Sequence, residues 1–587
     1  MFAPSLIDVR RTGDGSVVLS NRLELGPYPE TLTASLRRRA EERPGALFLA
    51  EREGAGWRGI TYGEMWRRTD DLGARLLGAG CSPDRPVLIL APNSIAHAEI
   101  MLAAIRVGVP IAPISTAFAL ASADLERLRY VTGLVTPRLA AIPAEPQYDA
   151  AAAAVAELTD QVVRGWAWDS LPALAHSEVR RAEASVGAST VAKLLFTSGS
   201  TDKPKVVPNT HRMMCSNQAA MAVVWPCIAA APPVIIDWLP WNHTFGGNFS
   251  FNLALTHGGT LYIDAGKPTP SMLATTLANL RDIAPTVYYN VPAGFEALLP
   301  HLENDAGFAR HFFSRLSFVF SAGAALPQKA RDRLDAAARG ARGTGVPILT
   351  GWGSTETAPC ATVVYSASAL ANNIGLPIPG TEVKLVPDQG KFELRVRGPN
   401  VMVCYWRQGD DRADTFDEDG FYRMGDAGVL IDPDRPEAGI AFDGRVAENF
   451  KLSSGTWVNV GALRLALIDA ARPLIQDVVI TGHDRDEIGI LIFPNLAACR
   501  ETAGFAIDER ALTGHACVIE RLRRTLQQHN LAAAGSSGRV AAFIILDSPP
   551  CAEAHEITDK GYVNQRTVLK LRAADVLRVH GPEGHRV

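Results

Sequence analysis

The chain has 587 residues, 47% of them hydrophobic and 20% charged. That excludes a disordered chain, which would be poorer in apolar residues, and a disulfide-stapled miniprotein. Lys+Arg 58 against Asp+Glu 62 leave a net charge of −4, so no excess of positive charge marks a nucleic-acid partner.

At about 150 residues per domain the length implies roughly four domain-sized units. The N-terminus, MFAPSLIDVRRTGDG, carries Asp8 and no apolar core, so no secretory signal is expected. The eight cysteines are scattered without a CxxC pair. Reduced, mostly buried thiols in a cytoplasmic protein are therefore expected, and no zinc site.

In chain order, the spacing predicts a helix over Leu32–Glu42, with Leu36 and Ala40 on its apolar stripe and Pro44-Gly45 as its stop. Arg37, Arg38 and Arg39 read as a solvated face balanced by Glu41 and Glu42. Gly54-Ala-Gly-Trp-Arg-Gly59 matches GxGxxG, but it lies between strand-like runs and opens no helix, so a hairpin turn is expected. Residues 86–91, 94–107 and 109–114 read as strand, helix and strand, a βαβ unit. The alanine-rich residues 150–158 read as a further helix. The longest apolar run, residues 221–236, is broken by Pro226, Pro232 and Pro233. It is also shorter than the ~20 residues a membrane-spanning helix needs.

The sharpest local feature is an apolar strand ending in five small or hydroxyl residues, Thr197, Ser198, Gly199, Ser200 and Thr201, followed by Lys203 and Lys205. Small residues let backbone N–H groups approach an anion, hydroxyls donate to phosphate oxygens, and Lys205 adds charge. The Walker pattern GxxxxGK[ST] is absent. A second loop, Gly351-Trp-Gly-Ser-Thr-Glu-Thr357, is read as following a strand over residues 346–350. Its indole, hydroxyls and carboxylate suit a stacked base, a phosphate and Mg²⁺. In Tyr422-Arg-Met-Gly-Asp426 a carboxylate after a tight turn suits two ribose hydroxyls. Asp417-Glu-Asp-Gly420 has Thr415 where a calcium loop needs its first ligand, and His555-Glu556 lacks a second zinc histidine. Beyond Gly444 the chain turns to strands and basic helices, which places a boundary there: residues 1–443 and 444–587.

The series FTSGST…PK, LPWNHTFG (residues 239–246), SAGA (residues 321–324), GWGSTE, YRMGD and FDGR…K resembles, in order and spacing, the adenylate-forming acyl-CoA synthetase superfamily. The tracts PWNHTFGGNFSFNLALTHGGTLYIDAGKPTP, VYYNVPAGFEALLPHLE, ENFKLSSGTWVN and HEITDKGYVNQR are most similar to bacterial feruloyl-CoA synthetases. The resemblance implies an α/β fold: a large multi-subdomain N-terminal α/β domain and a smaller mobile C-terminal α+β domain. It implies that a carboxylate attacks the α-phosphate of ATP, expelling pyrophosphate, and that the thiol of coenzyme A then displaces AMP. Such chemistry is mainly positioning and cationic stabilisation.

Carried over by motif, Thr197 to Thr201 and Lys205 resemble the β,γ-phosphate loop, and Ser321, Ala322, Gly323 and Ala324 the adenine-edge strand. Trp352 resembles the aromatic wall, Thr355 an α-phosphate contact, Glu356 the Mg²⁺ carboxylate, Asp426 the ribose ligand and Arg445 a second ribose or phosphate contact. Gly353 and Lys451 fall with the nucleotide contacts. His243 resembles a gate beside the acyl pocket, and Phe245, Tyr289, Val291, Gly323 and Gly353 its lining.

Three positions depart from the family pattern: Asp202 replaces the usual glycine, Ala447 the hinge aspartate, and Tyr562 falls at the usual catalytic lysine. Lys560 is therefore the expected adenylation cation, with Lys570 as fallback. The expected reaction is ATP-dependent ligation of a carboxylic acid, a hydroxycinnamate such as ferulate, to CoA. A ligase for a fatty or other aryl acid, a module loading a carrier protein and a non-catalytic nucleotide binder are the competing readings. No carrier domain is expected after the smaller domain, which weakens the carrier-loading reading without excluding a separate partner, and a homodimer stays open.

Overall fold

The computed structural model describes the chain except residues 1, 121–124, 198–203, 366–370, 389–390, 408–411, 505–508, 534, 552–555 and 557–562. Two compact units emerge: Met1–Lys384 with Arg395–Arg423 and Leu430–Ile440, and Leu385–Leu394 with Met424–Val429 and Ala441–Val587.

The large unit contains a six-stranded sheet in the order Lys205–Thr210, Val191–Thr197, Ile111–Pro113, Val87–Ile89, Leu139–Ile142 and Gln161–Arg164. Its pairs are parallel except the first, where Lys205–Thr210 runs antiparallel to Val191–Thr197. The central strands are short apolar runs buried on both faces, as a parallel sheet covered by helices requires. The expected βαβ unit is present, with helix Ile95–Arg106 between Val87–Ile89 and Ile111–Pro113. Ser94 caps that helix by accepting the His97 amide at 3.0 Å.

A second sheet of the large unit orders Val234–Asp237, Thr260–Ile263, Leu47–Glu53 and Gly56–Thr61. Its last pair is a hairpin in which Glu53 faces Gly56, so the GxGxxG segment is the turn that its flanks imply. A further run, Val287–Asn290, Phe318–Ser321 and Ile348–Gly353, is parallel, and Cys360–Val363 and Asn373–Pro377 extend it antiparallel. Helix Leu32–Glu42 has the expected bounds, although Arg39 turns inward to donate to the Thr256 carbonyl at 2.9 Å.

The smaller unit is built on a sheet ordered Ile475–Thr481, Ile488–Pro494, Val540–Ile545 and His585–Arg586. One face packs against Leu463, Leu467, Leu522 and Leu526 from its helices. Among the described residues no helix is long and apolar enough to cross a membrane. The eight cysteines are free, but only Cys81, Cys215, Cys360 and Cys499 are buried, while Cys404, Cys517 and Cys551 are exposed. The expectation of mostly buried thiols is thereby corrected: cysteines on surface loops and helix starts have no core to fill.

Candidate functional site

The loop rich in hydroxyls is carried by a hairpin whose two ends, Thr197 and Lys205, face each other across the ladder. Thr197 is the last residue of the strand, and its Oγ1 is buried without a hydrogen-bond partner. The Lys205 ammonium sits 4.6 Å from the centre of the Tyr405 ring, a cation–π contact. Ser198, Gly199, Ser200 and Thr201 lie outside the described residues, as do Asp202 and Lys560.

The second motif differs from its sequence reading. Strand Ile348–Gly353 runs through Gly351, Trp352 and Gly353 instead of ending at residue 350. Thr355–Thr357 then forms one turn of 3₁₀-helix. The glycines are needed for space: a Cβ on Gly351 would lie 2.7 Å from the Phe320 ring, and one on Gly353 would meet the Pro359 carbonyl. Without those side chains the strand continues, and Trp352 is buried.

Glu356 is also buried. Its carboxylate accepts from the Tyr405 hydroxyl at 3.2 Å, and Tyr405 and Tyr422 share a hydroxyl contact of 3.2 Å. Burial first, and the Glu356 charge second, hold both phenols above their ordinary range, so both stay protonated as donors. The turn is fixed from outside by three amides. Asn209 donates to the Thr355 carbonyl at 3.2 Å. Asn217 reaches the Cys360 carbonyl at 2.8 Å, and Asn400 reaches the Thr357 carbonyl at 3.0 Å and that of Cys360 at 2.9 Å.

Ser321 pairs with Thr350 in the parallel register and ends strand Phe318–Ser321. Ala322, Gly323 and Ala324 follow the strand, so only the first residue of SAGA belongs to it. Gly323 is exposed with φ +90°, a left-handed conformation that favours glycine. The Oγ atom of Ser321 is buried and unpaired.

His243 precedes a π-helical turn, Phe245–Ser250, whose glycine pair permits close approach: a Cβ on Gly247 would meet the Trp241 carbonyl. Asn93 clamps the lead-in by accepting from the Trp241 amide and donating to the Leu239 carbonyl, both at 2.9 Å. The Phe245 amide donates to His243 Nδ1 at 3.2 Å, which puts the proton of the neutral ring on Nε2. Phe245 belongs to an aromatic cluster. Its ring centre is 5.7 Å from Phe249 and 5.9 Å from Phe320, and Phe249 stacks on Phe320 at 5.0 Å and meets Tyr289 edge-on at 5.1 Å. Tyr289 is buried, and its hydroxyl has no hydrogen-bond partner. Val291 is buried at the N-cap of helix Pro292–Asn304.

In the smaller unit Asp426 lies inside strand Tyr422–Leu430 and not after a turn; Gly425, at φ +69°, supplies the local bend that the sequence showed as a turn. Asp426 is buried and pairs with Arg445 at 3.0 Å. Glu448, following Ala447, is raised by burial against the opposing pull of Arg445 and Arg464. Lys451 is exposed beside Trp457, with 4.9 Å from Nζ to the ring centre. Lys570 lies in helix Gln565–Leu571.

Tyr405, Asn209, Asn217, Asn248 and Asn400 escaped sequence reasoning because isolated amides and phenols carry no spacing signal. Lys193 carried one, a lone charge in an apolar strand. Among the described residues no three His, Cys, Asp or Glu side chains group as metal ligands.

Residues 36–406 match the profile of the AMP-binding enzyme family, and residues 450–580 that of the AMP-binding enzyme C-terminal domain. The chain is 27% identical over 426 residues, 69% of this chain and 78% of the relative, to the "3-[(3aS,4S,7aS)-7a-methyl-1,5-dioxo-octahydro-1H-inden-4-yl]propanoyl:CoA ligase" of Rhodococcus jostii (strain RHA1). It is 32% identical over 347 residues to a long-chain-fatty-acid–CoA ligase of Escherichia coli O157:H7, spanning 55% of this chain and 56% of that protein. In fold it is similar to the anthranilate CoA ligase AuaEII, solved with anthranoyl-AMP. There the TM-score is 0.72 at 19% identity, covering 95% of this chain and 100% of that one.

Proposed function

The chain belongs to the AMP-binding enzyme family, and from that premise we propose that it is an ATP-dependent acid–CoA ligase that forms an acyl-adenylate and passes the acyl group to coenzyme A. The observation that carries the reading is a pair of buried hydroxyls without protein partners, Thr197 and Ser321, each ending a strand of the large unit. A buried hydroxyl left unpaired costs about 1–3 kcal/mol. Such groups suit a polar ligand, and the chemistry around them is that of a nucleoside triphosphate. Thr197 to Thr201 and Lys205 would hold its β- and γ-phosphates, Thr355 its α-phosphate, Trp352, Gly353 and Ser321–Ala324 its base, and Asp426, Arg445 and Lys451 its sugar and neighbouring oxygens.

One carboxylate without histidine or thiol ligands fits Mg²⁺, which keeps waters and binds chiefly to substrate phosphates. Glu356 would hold that ion, which neutralises phosphate charge when bound. The phenols of Tyr405 and Tyr422 keep the Glu356 carboxylate oriented. Lys560 would neutralise charge building on the α-phosphate as pyrophosphate leaves.

The acid side favours a flat aromatic substrate of the hydroxycinnamate type, such as ferulate. Phe245, Phe249 and Phe320 offer ring faces and edges, and the unpaired Tyr289 hydroxyl offers a polar contact inside an otherwise apolar lining. His243, with its proton on Nε2, would stand at the carboxylate end.

Pyrophosphate release with ATP, Mg²⁺, CoA and a panel of acids tests the reading. Release dependent on ferulate, with a new thioester absorbance, supports it. A preference for long-chain fatty acids would replace the substrate assignment, transfer only to a carrier protein would replace the acceptor, and ATP binding without turnover would overturn the ligase reading.

A further inference from the structure

Strand Val191–Thr197 is apolar except for its last residue, Thr197, and Lys193, which is 1% exposed. Its Nζ donates to the Gly247 carbonyl at 2.7 Å and lies 5.7 Å from the centre of the Phe251 ring. Directly opposite it in the antiparallel register is Asn209, also fully buried. Asn209 Oδ1 accepts from Asn248 Nδ2, which also reaches Thr244 Oγ1 at 3.1 Å. Two facing residues of one hairpin thus hold two consecutive residues of one π-turn. The Gly247 amide returns to the His243 carbonyl at 2.8 Å, so the grip passes directly to the segment carrying His243 and Phe245.

A buried ammonium without a carboxylate is unfavourable against an apolar side chain of similar size. Burial alone pulls Lys193 down to about 7. A methionine would fill the space without that cost. What the lysine adds is a long, directed donor to a carbonyl at the centre of an irregular turn.

We propose that Lys193 and Asn209 are positioning residues that lock the π-turn, and with it His243 and Phe245, to the two strands carrying the triphosphate loop. The inference rests on the reading of His243 and Phe245 as the acid's side of the site. Through this pair the acid pocket takes its register from the nucleotide hairpin. Asn209 also grips the Thr355 carbonyl, so one amide touches both sides.

The test measures KM for acid and for ATP separately, by pyrophosphate release, in the full-length wild type, Lys193→Met and Asn209→Ala. Lys193→Met is expected to raise the acid KM about tenfold, the worth of one buried hydrogen bond, with the ATP KM within about twofold. Asn209→Ala, which also frees the Thr355 carbonyl, is expected to raise the acid KM by as much and the ATP KM as well. In the double variant the two effects combine to less than their product, because both act on one turn.

The pH profile separates positioning from packing. The wild-type acid KM rises as pH passes upward through about 7 and Lys193 loses its charge, and in Lys193→Met that rise is absent. His97 and His211, held neutral by burial at about 4, feel its charge, and Asp237, which bonds Ser250 of the π-turn, is raised by burial to about 7. A step due to Asp237 would persist in the variant and overturn the assignment to Lys193. In Lys193→Met, parallel rises in both KM values, a fall in kcat alone, or unmoved values would also overturn the inference. If Lys193→Met does not fold, Asn209→Ala and the wild-type profile decide. A wild type that turns over no acid sinks the functional reading instead.

Discussion

Two buried bends of the large unit, the 3₁₀ turn Thr355–Thr357 and the π-turn Phe245–Ser250, solve the same geometric problem with different polar remainders. Both need glycine beside them, and both lie at the end of a packed element. The first is over-determined: Asn209, Asn217 and Asn400 hold carbonyls of the turn or of Cys360 just beyond it, and Tyr405 reaches the Glu356 carboxylate. The second is gripped by Lys193 and Gln218 on its carbonyls and by Asn209 on Asn248, yet Asn248 Oδ1 and the nearby Tyr289 hydroxyl stay unpaired. The difference suits the proposed chemistry. A nucleotide is the same in every turnover and can be met by a rigid frame, whereas an acid pocket gains selectivity from polar atoms that only the right substrate satisfies.

Substitutions that act on one side alone sharpen this comparison. Lys560→Ala is expected to have the largest effect, a loss of adenylate formation of about a hundredfold or more, with thioester formation from supplied acyl-AMP retained. Equal loss of both half-reactions would move the role to another residue, Lys570 first. Glu356→Gln should follow, with kcat/KM down by about a hundredfold and the acid KM unchanged; a raised acid KM would mean that the two bends are not separate. Tyr289→Phe should cost about tenfold on ferulate and leave unsubstituted cinnamate unaffected. Equal loss on both acids would return Tyr289 to plain packing.

The smallest effect on turnover is a pH dependence of stability. Burial pushes His97, His211 and His257 down to about 4. Unfolded, each takes a proton near 6.5, so the stability present above about 6.5 is lost as pH falls toward 4. The slope is about 1.4 kcal/mol per pH unit per histidine. His97, edge-on to Trp241 at 5.2 Å, belongs to the acid side. Denaturant melts of His97→Gln should show a slope shallower by one proton, and an unchanged slope would remove His97 from the account.

Much of the large unit was legible because its strands are short apolar runs punctuated by glycine and proline, and the Val87–Ile89 to Ile111–Pro113 crossover follows from that pattern alone. Where a strand carries glycines for packing reasons, the same rule misleads. Gly351 and Gly353 looked like a loop but make room for Phe320 and the Pro359 carbonyl, and Gly425 bends a strand without ending it. The chemistry-bearing residues Glu356 and Asp426 were visible through their motifs, while their burial was not. The amides that hold the turn come from distant segments, and only the fold brings Asn209, Asn248 and Thr355 together. The lone charge at Lys193 was present in the sequence as an anomaly, and its meaning depends on a carbonyl 54 residues away.

The central claim is that an acid's carboxylate oxygen attacks the innermost phosphorus of ATP, and oxygen labelling tests it most directly. Ferulate carrying heavy oxygen in its carboxylate is turned over with ATP, Mg²⁺ and CoA, and the nucleotide product is weighed by mass spectrometry. The account predicts AMP bearing one heavy oxygen. ADP as the product, or unlabelled AMP with the label in phosphate, would contradict it.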